Sequence, residues 1–367
     1  MKLAILVSDF ESGGVERSMT HLAGGLARRG LTVDYLVGNP EHPYLQCLDA
    51  RVRLRPVAGN RTATLADYLI NHRPDVLMTA KLADDVCAIA LREQLNLSTR
   101  LVANVGTVLS ASVAASPVNP LRNWLNRRRV QRVYRQLDAI AAVSQGVAQD
   151  LRHAFGLREL PISVLPNPII SSDLASLAAL PCAHPWLQQP NAPPVVLAIG
   201  GLRRVKDFPT LLRAFAKLSR HADARLIILG EGRQRSKLER LAARLHITER
   251  LALPGFVANP FPWLAQARVL ALSSRREGFG NVLIEALALG TPVVATDCPS
   301  GPREALGGGR WGRLVAVGDS DALSAALLDT LNDHGARDVP HDAVQPYRVD
   351  AASAAYAVFL QHVCEPA

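Results

Sequence analysis

Residues 273–295 read SSRREGFGNVLIEALALGTPVVA, and their order of textures decides the fold. Ser273-Ser274 closes the apolar run RVLAL, EGFG (277–280) is a turn, NVLIEALAL (281–289) has helical composition, and Gly290 stops it. TPVVAT then begins a second β-branched strand. Strand, turn, helix and strand in close succession require a parallel sheet with helical crossovers. Glu277 and Glu285 flank the glycine turn, and Arg275 and Arg276 stand just before it.

The same alternation runs the length of the chain. Strand-like runs LAILV (3–7), TVDYLV (32–37), DVLMT (75–79), RLVANV (100–105), AIAAV (139–143) and SVLP (163–166) occupy the first half. VVLAIG (195–200), RLIILG (225–230), LALPG (251–255), RVLALS (268–273), TPVVAT (291–296) and GRLVAV (312–317) occupy the second. Amphipathic helical runs such as ERSMTHLAGGLARRG, closed by Gly30, lie between them. Two such sets predict an α/β protein of two Rossmann-like, doubly wound domains. Pro181, Pro185, Pro190, Pro193 and Pro194 mark the joint. The expected layout is a first domain over 1–170, a linker over 171–193, a second domain over 194–345, and a last amphipathic helix within 346–367.

Composition agrees with this class. At 367 residues, 49% hydrophobic and 20% charged, the chain can fill two cores and is not compositionally disordered. No apolar run reaches the ~18 residues of a membrane-spanning helix. The start MKLAILVSDFES turns acidic too soon for a signal peptide and reads as a first strand. Cys47, Cys87, Cys182, Cys298 and Cys364 show no CxxC spacing, which argues against a disulfide framework or zinc site and fits a reducing cytoplasm. Asp319-Ser320-Asp321 directly precedes helical ALSAALLDTLN, so it is read as a helix cap and not as a metal site. No metal is expected.

Ligands of open parallel sheets bind beyond the carboxyl ends of the strands, against helix N-termini. Two segments have that shape. In LVSDFESGGVERS, Gly13 and Gly14 precede a helix and either admit a phosphate or form a plain tight turn. In EGFGNVLIE, Gly278 and Gly280 let an anion approach the helix start, and each flanking glutamate can accept from two adjacent sugar hydroxyls. Neither segment is a GxGxxG or a P-loop, so dinucleotide and nucleoside-triphosphate readings have no support. The pattern suits a sugar–diphosphate–ribose ligand.

This constellation resembles the EX7E signature of the retaining GT-B glycosyltransferases of family four, many of which build bacterial surface polysaccharide and lipopolysaccharide. Similarity extends over SGGVER, AVSQGVAQDL, LPNPI, IGGLRRVKDFPTLLRAFA, ILGEGRQRSKLERLA and the long block from LPGFVANPF to GPREAL. The resemblance implies two Rossmann-like domains facing a central cleft, the donor held by the second and the acceptor approached by the first. It implies that Glu277 holds hydroxyls of the transferred sugar, Glu285 the ribose hydroxyls, and Lys206 the leaving phosphate. Gly278, Phe279, Gly280 and Asn281 would receive the diphosphate and donor sugar, with Gly13 and Gly14 also on the donor side. Gly230, Phe256 and Val257 would line the nucleobase and ribose. Where relatives carry a phosphate-binding arginine this chain has Gly201, so Arg203 or Arg204 is expected to replace it. Where some relatives carry a histidine near the sugar this chain reads ANVGTVLS, leaving Asn104 or Thr107 for that contact. No cofactor is implied beyond the nucleotide-sugar donor, expected to be a UDP-sugar.

The formal charge of +9 is uneven. No acid occurs between Glu93 and Asp138, whereas Arg122, Arg127, Arg128, Arg129, Arg132 and Arg135 crowd the helical run PLRNWLNRRRVQRVYRQL. Leu121, Trp124, Leu125, Val133, Tyr134 and Leu137 form its apolar stripe, part of which belongs to a core. Such a patch is either a plain solvated helix face or wants an anionic partner: phospholipid headgroups, a phosphorylated acceptor or nucleic acid, with peripheral attachment to the inner face of the cytoplasmic membrane the expectation. Nucleic acid is disfavoured because aromatic residues do not interleave the arginines. The expected function is therefore retaining hexosyl or N-acetylhexosaminyl transfer to a lipid-linked or surface glycan. The alternatives are an epimerase or phosphorylase on the same scaffold, or a non-enzymatic polyanion-binding module.

Overall fold

The computed structural model describes residues 1–10, 13–57, 59–113, 120–182, 184–189, 192–333 and 338–365. Pro190 of the expected linker, the side chain of Leu121 and the last two residues of the 346–367 segment lie outside these.

Every strand pairing is parallel, and each sheet takes its strands from one half of the chain. The first sheet comprises β1 (Lys2–Val7), β2 (Thr32–Val37), β3 (Arg53–Pro56), β4 (Val76–Thr79), β5 (Arg100–Val105), β6 (Ala139–Ala142) and β7 (Ile162–Val164), in the order 3-2-1-4-5-6-7. The second comprises β8 (Val195–Ile199), β9 (Arg225–Leu229), β10 (Leu251–Gly255), β11 (Val269–Leu272), β12 (Val293–Thr296) and β13 (Arg313–Val315), in the order 10-9-8-11-12-13. In β1, Leu3 to Val7 are buried without a break, because helices cover both faces of the sheet. The strand missing from the expectation is β3, whose RLRP is half polar: it is a sheet edge with a proline at its end, and it pairs only with β2. β7 begins at Ile162 rather than Ser163.

The chain divides into one unit of Met1–Ile169 with Tyr347–Ala367, and a second of Ile170–Pro346. The proline-rich run carries two short helices, Leu174–Ala178 and Pro185–Gln188, and lies in the second unit. Asn259 Nδ2 ties it there by donating to Leu177 O at 3.0 Å.

The first unit's core sets Leu3, Ile5 and Val7 of β1 against Leu22 and Leu26 of the first helix (Gly14–Arg28) and Tyr356 and Leu360 of the terminal helix (Val349–Cys364). The chain re-enters this unit at Tyr347, whose carbonyl accepts from Ile169 N at 2.9 Å. In the second unit the helix Phe208–Leu218 buries Leu211, Leu212, Phe215 and Leu218 on one face against β8 and β9. Each such side chain is worth about 1.5–3 kcal/mol of apolar burial. These cores hold the sheets rigid, and the loops beyond their carboxyl edges carry the polar chemistry.

Candidate functional site

In the second sheet the strand order reverses between β8 and β11, so the loops following these two strands border the crevice where ligands bind such sheets. The loops are laced together. Ser273 Oγ donates to Lys206 O at 2.8 Å, Arg275 N to Val205 O at 2.8 Å, and Arg275 Nε to Asp207 Oδ2 at 2.9 Å. Thr210 Oγ1 donates to the same Asp207 oxygen at 2.9 Å. The Lys206 side chain runs along Gly200, where a β-carbon would stand 3.0 Å from its Cε. Its ammonium thus reaches Glu277, donating to Oε1 at 2.7 Å, and Ser274 Oγ donates to that oxygen at 2.6 Å. Both bonds fall on Oε1, which leaves Oε2 for a hydroxyl.

Beneath Glu277 lies Cys298, 2% exposed, its thiol pushed up to about 12 by burial first and by the Glu277 charge second.

The glycine turn delivers the chain into the helix Asn281–Ala288. Gly280 adopts φ 94°, ψ 59°, a left-handed conformation that costs a side-chain-bearing residue dearly. The helix N-terminus is the electropositive end of its dipole, and it opens beside Gly278 and Phe279. Ser300 Oγ buttresses the turn by donating to Gly278 O at 3.0 Å. Glu285 lies about one turn into the helix and is buried. Asn281 is the first helical residue and Gly280 the cap.

The other donor-side residues fall at the carboxyl ends of neighbouring strands. Gly200 N donates to Leu229 O at 2.9 Å and Gly230 N to Gly255 O at 2.8 Å, so β8, β9 and β10 end in step. A β-carbon on Gly230 would collide with Gly200 O, which explains the glycine. Phe256 and Val257 follow Gly255, the first exposed and the second half-buried. Arg203 and Arg204 are both exposed, and the Arg203 side chain lies over Gly201, its Nε 3.5 Å from where a β-carbon would stand. Glu231 is peripheral, paired with Arg235 at 2.8 Å.

In the first unit the crevice lies between β1 and β4, where the first helix begins at Gly14 with Gly13 as cap. Glu16 folds back over that end: its Oε2 is 2.5 Å from a hypothetical Gly13 β-carbon, and Oε1 pairs with Lys81 Nζ at 2.9 Å. The place expected for a phosphate at Gly13 and Gly14 holds this chain's own carboxylate. Asn104 is also committed elsewhere. It is buried in β5 and its amide donates to the Tyr356 hydroxyl at 2.5 Å, because its side chain faces the terminal helix. Thr107 is exposed on the following loop.

Asp319 caps the helix Ser320–Asn332, accepting from Asp321 N at 3.0 Å and Ala322 N at 2.9 Å. No group of three or more histidine, cysteine or acidic residues suited to a metal occurs among the described residues. Sequence reasoning missed Ser274 and Cys298 beside Glu277, and Glu16 and Lys81 in the first unit. Ser274 sits three residues before Glu277 at a strand end and was legible as a partner.

Comparison with known proteins identifies both halves of the chain. A model described as Glycosyltransferase Family 4 matches residues 12–172, and one described as Glycosyl transferases group 1 matches 193–333. An N-acetylgalactosamine-N,N'-diacetylbacillosaminyl-diphospho-undecaprenol 4-alpha-N-acetylgalactosaminyltransferase of Campylobacter jejuni is 33% identical over 64% of this chain. That match takes in 61% of the Campylobacter protein's own length. The lipopolysaccharide core biosynthesis glycosyltransferase LpsE of Rhizobium meliloti is 25% identical over 89% of this chain and 88% of its own. Among solved structures, the Anabaena protein HepE in complex with UDP-glucose aligns with a TM-score of 0.79 at 20% identity, covering 99% of this chain and 100% of that one. A Rickettsia africae glycosyltransferase aligns with a TM-score of 0.77 at 17% identity, covering 100% of this chain and 99% of that one. The parallel sheets, the crevice with its Glu277–Lys206 pair, and the two matched models lead to one assignment: the chain belongs to the group 1, family 4 glycosyltransferases of GT-B fold.

Proposed function

We propose that the protein transfers a hexose or N-acetylhexosamine from a UDP-sugar to a lipid-linked or surface glycan, with retention at the anomeric carbon. The observation that carries this reading is the ammonium of Lys206 set 2.7 Å from Glu277 Oε1 at the mouth of the helix that bears Glu285. Glu285 grips the ribose hydroxyls, Glu277 Oε2 takes a hydroxyl of the transferred sugar, and the turn at Gly278, Phe279, Gly280 and Asn281 receives the diphosphate. Arg203, lying over Gly201, adds a second cation on the phosphate side, and Gly230, Phe256 and Val257 border the nucleobase.

In the reaction the bond from the anomeric carbon to the diphosphate oxygen breaks and negative charge builds on the leaving group. Lys206 and the helix N-terminus meet that charge. The acceptor hydroxyl attacks from the face the diphosphate vacates, and its proton passes to a leaving-phosphate oxygen. Glu277 is held by Lys206 and Ser274 as a sugar-binding group, so no carboxylate nucleophile is invoked, in contrast to retaining glycosidases. The protein's contribution is positioning and charge. No metal ion is assigned a part, and the first domain is assigned to the acceptor. One relative is named for a diphospho-undecaprenol-linked substrate and another for lipopolysaccharide core biosynthesis, and both support that acceptor class. The undecaprenol-linked substrate in the Campylobacter relative's name supports a proposed location in the cytoplasm and at the inner membrane face. No helix among the described residues is long and apolar enough to cross a membrane.

The test is calorimetry of UDP, GDP, ADP and CMP, each with its sugars, against wild type and two variants. UDP binding lost in Glu285→Ala, with turnover lost most in Glu277→Ala, supports the reading. Full activity in both variants, or no nucleotide binding by a folded protein, overturns it.

A further inference from the structure

Two ion pairs of reversed sign bridge the loops after β8 and β11. Lys206 reaches Glu277, and the next residue, Asp207, holds Arg275, whose Nε donates to Asp207 Oδ2 at 2.9 Å. The second pair is lopsided: the Asp207 side chain is 6% exposed and that of Arg275 61%. Arg225 and Arg235, by contrast, pair with acids that are more than half exposed, as ordinary surface pairs do. Asp207 takes its buried place at the cap of the helix Phe208–Leu218 with φ 45°, ψ 41°, a left-handed conformation uncommon outside glycine. There it also accepts from Thr210 Oγ1 at 2.9 Å and faces the positive end of the helix dipole. The acid is therefore partnered from within its own helix before Arg275 is counted.

Arg275 is fixed at two points, since its N–H donates to Val205 O at 2.8 Å and its Nε is engaged by Asp207. Its two terminal nitrogens have no partner among the described residues. A guanidinium pinned at Nε and otherwise open to water presents a rigid fork whose spacing matches two oxygens of one phosphate. Arg275 stands two residues before Glu277, just past the carboxyl end of β11 and so at the rim of the same crevice.

We propose that Arg275 is a phosphate-binding residue and that buried Asp207 is the positioning residue that aims it. The inference rests on the glycosyl-transfer reading, which assigns a part to neither residue. That reading supplies a phosphate from two sources, the diphosphate of the donor and the phosphate that joins a lipid to the acceptor glycan. A neutral sugar would leave the fork's charge unanswered.

Calorimetry of the whole protein with UDP, uridine and inorganic pyrophosphate, the last with and without saturating UDP, separates the sources. Arg275→Gln should weaken a phosphate ligand about 10–100-fold, while uridine, which has no phosphate, binds as it does to wild type. Weakened UDP assigns Arg275 to the donor. Unchanged UDP, with weakened binding of pyrophosphate to the UDP complex, assigns it to the acceptor's phosphate; either result supports the proposal. Asp207→Asn tolerates the left-handed backbone and keeps an acceptor for Thr210, and should weaken the same ligand by a smaller factor. Arg275→Lys keeps a charge beside Asp207 without the fork, so it should recover melting temperature more fully than affinity, and it carries the comparison if Arg275→Gln does not fold. A merely structural pair would lower the melting temperature and weaken uridine and the phosphate ligands alike, and that result overturns the proposal. So does binding of both UDP and pyrophosphate to Arg275→Gln as tightly as to wild type. If wild type binds pyrophosphate through Arg275 but no UDP, the donor reading falls and the phosphate site stands; if it binds neither, both fall.

Discussion

Replacing Lys206 by methionine keeps the stem that crosses Gly200 and removes only the charge. Two effects separate cleanly. In the proposed reaction the diphosphate loses the cation assigned to its developing charge, and a unit charge at about 4 Å with an effective dielectric near 20 is worth about 4 kcal/mol. Removal of one preorganised donor from such a site costs about 10²–10³ in kcat. The two figures agree, so Lys206→Met should lower turnover by about 10²–10³. The second effect is on the fold. Lys206 and Glu277 side chains are 23% and 12% exposed, between a surface pair and a buried one. Glu277 keeps Ser274 as a partner at 2.6 Å. The loss should be about 1–2 kcal/mol, a few degrees in Tm.

The assay is release of UDP from a UDP-sugar donor, with donor affinity measured separately. Lys206→Arg serves as the control: it restores charge in a bulkier, planar form and should recover part of the rate. Turnover within about threefold of wild type in Lys206→Met, at unchanged donor affinity, would refute the assignment of Lys206 to the leaving group. Recovery by Arg of stability but not of rate would refute the charge argument alone.

Gly25 of the first helix lies against Ser353 of the terminal helix so closely that a β-carbon would collide with Ser353 Oγ. Gly25→Ala should therefore destabilise by about 1–2 kcal/mol despite its better helix propensity. The Ser353 hydroxyl is buried without a partner, so Ser353→Ala should leave the melting temperature unchanged or raise it; the opposite ranking in thermal melts would refute this packing. Burial lifts the Asp85 carboxyl from 3.8 to about 7, against donation from Thr79 and Tyr134. A raised folded-state value means the native state binds more protons, so stability should fall as pH rises from about 4 through about 7. Asp85→Asn should flatten that slope in pH-dependent melts, and a slope equal to wild type would contradict it. Cys298, buried and pushed up to about 12, should resist thiol reagents at neutral pH until unfolding, whereas exposed Cys47 reacts at once. Mass mapping that found Cys298 labelled in the native protein would overturn this.

The two sheets were legible because continuous apolar runs and glycine stops are local signals, and twelve of the strand runs stand out by composition. β3 was not, since an edge strand needs neither continuous apolarity nor two partners, and RLRP has neither. The pairing of Glu277 with Lys206 was legible only as two residues after two strands. Their contact depends on strand order, which sets β8 beside β11. Gly13-Gly14 and Gly278–Gly280 look alike in sequence, each a glycine turn opening a helix after a strand at a sheet's switch point. Each crevice also holds a lysine–glutamate pair, Lys81 with Glu16 at 2.9 Å and Lys206 with Glu277 at 2.7 Å. What separates them is where the glutamate comes from. Glu16 belongs to the helix itself and folds back on its own N-terminus, whose positive end it neutralises. Glu277 stands on the loop before its helix and is pinned sideways by Ser274 and Lys206. The same pair therefore fills the helix end in the first unit and borders it in the second. A diphosphate that needs an electropositive helix end has reason to choose the second.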